Sequence, residues 1–131
     1  MKGGSLRSPL SRALGHGAAK DGVGHWWLQR VTSIALVPLT VWFVFALVTL
    51  PSLEYAVVRA WLASGWTPVF AVLLVLVTVH HSVSGVQVVI EDYVHAKPLK
   101  VAALLLSQFV HALLAVACVF AIPKLAFLAV A

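Results

Sequence analysis

Three stretches of this chain contain no Lys, Arg, Asp or Glu: residues 31–50, 67–90 and 101–122. At 1.5 Å of rise per helical residue, each is long enough to cross the roughly 30 Å hydrocarbon core of a bilayer. Backbone polar groups in lipid must be satisfied internally, and for segments of this length that means helices. The sequence therefore predicts an all-α membrane protein in which residues 25–131 carry three transmembrane helices, spanning about 31–50, 67–90 and 101–122. Composition excludes the alternative of a water-soluble globule: 62% of the residues are hydrophobic and only 10% charged, with a mean hydropathy of +1.02, where soluble domains carry about a quarter charged.

Residues 51–66 and 91–100 collect Pro, Ser, Gly and charge, and are expected as interfacial loops. Trp26 and Trp27 precede the first span, Trp61 and Trp66 the second, and Tyr93 follows it, the positions of an aromatic belt. Residues 1–24 are basic and rich in Gly, Ser and Ala, and are expected to be flexible. Nine Lys and Arg face four Asp and Glu; five of the nine are Lys2, Arg7, Arg12, Lys20 and Arg30. The positive-inside rule then puts the N-terminus, and with it the 91–100 connection, in the cytoplasm. No nucleic-acid motif accompanies the charge. The single cysteine, Cys118, rules out an internal disulfide. A long apolar first span behind thirty residues argues against a cleaved signal peptide, and a bacterial cytoplasmic membrane is preferred to a mitochondrial one, although the first twenty residues, basic and acid-free, resemble a transit peptide.

Polar side chains inside a span are expensive unless they face a bundle interior and find partners, so they mark candidate sites. The second span concentrates them. At 100° per residue, Gln87, Glu91 and Ser84 lie within roughly 40° of His80, with His81, Gly85, Val88 and Asp92 on the adjoining arc. His81, Gly85, Val88 and Asp92 recur at i, i+4, i+7 and i+11 and form one row. Such a row suits a flat cofactor: an imidazole nitrogen for a haem iron, with a glycine one turn on leaving room for the macrocycle. An interhelical hydrogen bond is the plainer use of a membrane histidine. His80 lies about 100° from His81, so the two cannot ligate one iron from the same side.

Elsewhere the residues admit two uses each. Arg30, closing the stretch His25 to Arg30, is either a positive-inside anchor or the partner of an anion such as a haem propionate. Asp92 and Tyr93 are either a charged helix end or a quinone site, with a hydroxyl donor beside a route for protons. His111, with Gln108 nearby, is either a second ligand or an interhelical hydrogen bond.

Gly24-His25-Trp26-Trp27-x-Gln29-Arg30-x-Thr32 before the first span, and His81-x-x-x-Gly85 leading to Asp92-Tyr93-Val94 at the close of the second, resemble the membrane-anchor (D) subunits of succinate dehydrogenase, respiratory complex II, of the alphaproteobacterial type. The resemblance covers residues 22 to 124 and leaves the N-terminal tail unmatched. It implies pairing with a second three-helix, cytochrome b-type membrane subunit around one b-type haem, and ubiquinone as the electron acceptor. It implies that His81 is the axial haem ligand and so the metal-binding residue, that Arg30 lies near the haem propionates and the quinone, and that Tyr93 and Asp92 belong to the quinone site. FAD and the iron-sulfur clusters would sit on a flavoprotein and an iron-sulfur subunit. His80 beside the matching position departs from the pattern, and the eleven-residue spacing to Asp92 selects His81.

The expected function is thus a membrane anchor that helps pass electrons from succinate to quinone without a complete active site of its own. Two other classes compete: a small three-helix transporter or assembly protein without haem, and a one-chain cytochrome using His81 and His111. An absorption spectrum separates the anchor from the transporter or assembly protein, since of those two only the anchor predicts a b-type haem.

Overall fold

A computed structural model describes residues 22–127. Among them there are four helices and no strand: α1 (Gly22–Thr49), α2 (Tyr55–Leu62), α3 (Thr67–Tyr93) and α4 (Lys97–Phe127). Three of these, over Val23–Thr49, Thr67–Tyr93 and Lys97–Phe127, are long and apolar enough to cross a membrane. The chain is a multi-pass membrane protein.

Each long helix outruns its uncharged stretch. Lack of charge marks what lies in hydrocarbon, whereas a helix continues into the headgroup region, where Arg30, Glu91, Asp92 and Lys100 find water. The 91–100 connection shrinks to residues 94–96, and Pro98 falls in the first turn of α4, where its missing N–H costs nothing. Lys100 tightens this turn by donating from Nζ to the Glu91 carbonyl at 2.8 Å. α1 already begins at Gly22, so residues 22–24 of the segment expected to be flexible are helical; the rest of that segment lies outside the described residues.

The other expected loop also differs. Residues 51–66 contain the amphipathic helix α2, whose indole Trp61 stacks on Trp42 of α1 at a ring separation of 6.1 Å. Trp42 in turn meets Phe70 of α3 at 5.4 Å. Trp61 is therefore a packing residue in an aromatic cluster that Trp42 extends across three helices, while Trp66 is exposed as a belt residue should be. Arg59 of α2 donates from Nε to the Leu125 carbonyl at 3.3 Å, fastening α2 to the last turns of α4. Gly65, with φ +48, makes the left-handed turn that sends the chain from α2 into α3.

α3 is the central element. It packs against α1 on one side and α4 on the other, and α1 and α4 do not touch. The antiparallel run places the start of α1, the end of α3 and the start of α4 at one membrane surface, and α2 at the other. Little is enclosed: among the described residues the buried apolar side chains are Leu39, Leu62, Pro68 and Ala71, while Ile34, Phe45, Phe109 and Leu113 stand open. Lipid or another membrane subunit must cover such faces. Helices in a bilayer gain nothing from hiding oil in oil, so their contacts depend on close packing and polar links. Among the described residues two side-chain-to-side-chain links join the long helices, and they come from consecutive residues of α3: His81 faces α1 and Ser82 faces α4.

Candidate functional site

The site lies between α1 and α3, in the half of the membrane nearer the start of α1. Four-residue spacing puts His25, Gln29 and Ser33 on one stripe of α1, with Trp26 and Arg30 beside it. Opposite them, Gly85 and Val88 of α3 complete a groove of about 410 Å³. Glycine creates much of this space. A Cβ at position 85 would meet only the Gln29 Nε2, at 3.8 Å, so any longer side chain there would project into the groove. The Arg30 guanidinium lies 4.3 Å from the Trp26 ring centre, a cation–π contact that holds a fixed positive charge at the groove's rim.

Gln29 contributes an unusual polar edge, because its Oε1 is buried without a hydrogen-bond partner. A buried amide oxygen normally finds a donor, and one without a donor marks a place where another group completes the structure. One turn deeper, buried Thr32 places its hydroxyl oxygen 3.0 Å from the Nδ1 of His81. His81 is half-buried at this contact, whereas its neighbour His80 is exposed. The row His81, Gly85, Val88 predicted from spacing is thus the face that α3 turns toward α1.

Asp92 and Tyr93 do not join the groove. Both stand exposed at the last turn of α3, on the same membrane surface as Arg30. Gln87 and Glu91, on the arc with His80, are linked to each other at 2.8 Å, Gln87 half-buried and Glu91 exposed. His111 is held by Ser82 and Ser107 in the other interface of α3. Among the described residues no three of His, Cys, Asp and Glu converge as a metal cage.

Sequence reasoning missed Thr32 and Ser82 as the partners of the two histidines, and Gln29 and Ser33 as groove residues. One signal was available: Gln29, Thr32 and Ser33 are polar residues at three- and four-residue spacing at the head of an apolar span, the same pattern that singled out α3.

Comparisons with known proteins place this architecture. The sequence model of the succinate dehydrogenase/fumarate reductase transmembrane subunits matches residues 5–122. A succinate dehydrogenase hydrophobic membrane anchor subunit of Rickettsia conorii is 30% identical over 104 residues, covering 79% of this chain and 82% of its own. The subunit of the same name from Paracoccus denitrificans is 27% identical over 118 residues, 90% of this chain and 91% of its own. A succinate dehydrogenase membrane anchor subunit of Reclinomonas americana is 26% identical over 97 residues, 70% of this chain and 78% of its own. No solved structure matches. The family match takes in all three long helices nearly to the end of α4, together with the groove between α1 and α3; the chain belongs to the succinate dehydrogenase/fumarate reductase transmembrane subunit family.

Proposed function

We propose that this chain is the hydrophobic anchor subunit of a bacterial succinate dehydrogenase, holding one b-type haem with a second three-helix membrane subunit and helping to form the ubiquinone-reduction site. An iron-sulfur subunit and a flavoprotein would complete the complex, carrying the clusters and the FAD. The basic end of the chain would face the cytoplasm, in keeping with the charge bias of residues 1–30.

The observation that carries this reading is one membrane-embedded α1–α3 interface, in a chain of this family, that combines a histidine, a side-chain-free position and an arginine. These residues fit a haem. Among the described residues His81 uses only Nδ1 in a hydrogen bond, which leaves Nε2 for a metal. Gly85 gives the room that a macrocycle needs, and the Arg30 guanidinium matches a propionate. When bound, the haem supplies a one-electron redox centre within the membrane.

The chain's own residues do the rest. His81 would hold the haem iron together with a ligand from the partner subunit. Arg30 would hold negative charge at the surface end of the groove. Tyr93 would donate a hydrogen bond to a quinone carbonyl at the membrane surface, and Asp92 would orient its neighbours or pass protons from water. Quinol formation consumes two protons, so a site at a wet boundary serves it better than one at the midplane.

Purification of the complex in mild detergent through a tag on this chain tests the proposal. Co-elution of a second membrane subunit, an iron-sulfur protein and a flavoprotein, with a low-spin b-type spectrum, is the expected result. Recovery of the chain without those subunits, or with them but without haem, would overturn the corresponding part.

A further inference from the structure

Thr32 is used by neither the haem nor the quinone site described above, yet it is buried to 7% exposure in a chain that encloses almost nothing. Its Oγ1 lies 2.9 Å from the Leu28 carbonyl, 3.0 Å from the Gln29 carbonyl and 3.0 Å from the His81 Nδ1. A hydroxyl has one proton to give and lone pairs with which to accept. Carbonyl oxygens only accept, and a threonine inside a helix gives its proton to the carbonyl three or four residues back. Were the proton instead directed at Nδ1, two oxygen–oxygen contacts of 2.9 and 3.0 Å would have no hydrogen between them. The arrangement that satisfies every group has the hydroxyl proton shared by the two carbonyls and the His81 Nδ1–H donating to Oγ1. A neutral imidazole carries one ring proton, so Nε2 then keeps its lone pair.

We infer that Thr32 is a positioning residue for His81: its hydroxyl fixes the tautomer protonated on Nδ1, turns Nε2 into the metal-binding atom, and raises the donor strength of the ring. This rests on His81 being the haem ligand proposed above. Outer partners of ligating histidines act in this way, and their loss typically costs 10- to 100-fold in metal affinity. The link also ties the haem to the α1–α3 contact, since the same hydroxyl joins the two helices.

The test is a redox titration and absorption spectrum of the purified complex carrying Thr32→Val, Thr32→Ala, Thr32→Ser or His81→Ala. Thr32→Val keeps the shape but gives up the acceptor, and Thr32→Ala gives up the same acceptor without added bulk. A weaker donor stabilises ferric iron less. Thr32→Val or Thr32→Ala should therefore retain low-spin haem that is lost at least tenfold more readily on dilution, with the ferrous form favoured several-fold; a tenfold change is about 59 mV for one electron. Thr32→Ser keeps the acceptor and should restore the wild-type potential. A wild-type potential and haem retention in Thr32→Val, with haem lost in His81→Ala, would overturn the inference alone. Unaltered haem in His81→Ala would overturn the ligand assignment and the inference with it. Failure of both Thr32→Val and Thr32→Ala to assemble, beside a normal Thr32→Ser, would overturn it in favour of a hydroxyl needed only to pack α1 on α3.

Discussion

Ser82 of α3 and His111 of α4 are joined by a 3.0 Å hydrogen bond between Oγ and Nε2, and the other ring nitrogen of His111 is also engaged, 2.7 Å from the Ser107 carbonyl. That carbonyl can only accept, so Nδ1 carries the proton and Nε2 accepts the Ser82 hydroxyl proton. Both nitrogens are committed, which leaves His111 no lone pair for a metal and removes the partner that a one-chain cytochrome would need. His111→Leu is expected to keep the haem spectrum of the complex. It should loosen the α3–α4 contact by about 0.6 kcal/mol, the usual worth of such a bond in a membrane. Thermal unfolding of His111→Leu, Ser82→Ala and the double variant checks this: the two single effects should fail to add. Loss of haem in His111→Leu would contradict the assignment.

Adjacent histidines make the second prediction. His81 is half-buried on the α1 side of α3, while His80 is exposed about 100° around the helix. His81→Ala should abolish or sharply weaken the low-spin haem signal, and His80→Ala should leave it in place, because removal of an axial ligand acts on the cofactor directly. Absorption spectra of the two variants at matched protein content decide the matter. Equal losses, or loss at His80 alone, would reverse the assignment.

The spans, their number and the row of α3 that meets α1 were legible because they rest on charge exclusion and a 3.6-residue period, both properties of a single segment. α2 was not. Its eight residues sit among Pro51, Ser52, Ser64 and Gly65, where turn formers outweigh a short amphipathic pattern, and its packing partners, such as Trp42 for Trp61, are distant in sequence. Thr32 and Ser82 were missed for a related reason. Helical period says which residues share a face, but the depth at which two helices meet is set by packing between them, and the pairs Thr32–His81 and Ser82–His111 are products of that depth. Gly85 was identified as an open position from the row alone; that its lone neighbour is Gln29 required the fold.

Gly85 yields a steric prediction. A Cβ there sits 3.8 Å from the Gln29 Nε2, an ordinary contact, so Gly85→Ala should assemble with near-normal haem. Gly85→Leu sends three further carbons into the groove, and overpacking a filled site costs typically 1–3 kcal/mol; haem content per complex should fall several-fold. Gly65 looks from sequence like a suitable control, but its φ of +48 would strain any leucine. Gly24 is the better one, being helical with nothing within 4 Å of its Cβ position. Pyridine haemochrome assay of Gly85→Leu against Gly24→Leu tests the point, and equal haem content would remove Gly85 from the site.

Tyr93 bears on quinone reduction, where electrons and protons must meet. It stands at the last turn of α3, 79% exposed, and among the described residues its hydroxyl makes no hydrogen bond. Nothing among the described residues explains a tyrosine rather than a phenylalanine there. A quinone at the boundary would use it, since the phenol can donate to a carbonyl oxygen while the ring stays in the interface. Tyr93→Phe removes one oxygen and no internal contact, so assembly and haem should be unchanged. Succinate-to-quinone turnover should fall by roughly tenfold or more, about 1.4 kcal/mol in the barrier. Electron transfer from succinate to an artificial acceptor that bypasses the membrane should hardly alter. Both activities measured on one purified variant separate the outcomes: unchanged quinone turnover would exclude Tyr93 from the site, and a parallel fall in both would mean that the substitution had damaged the assembly.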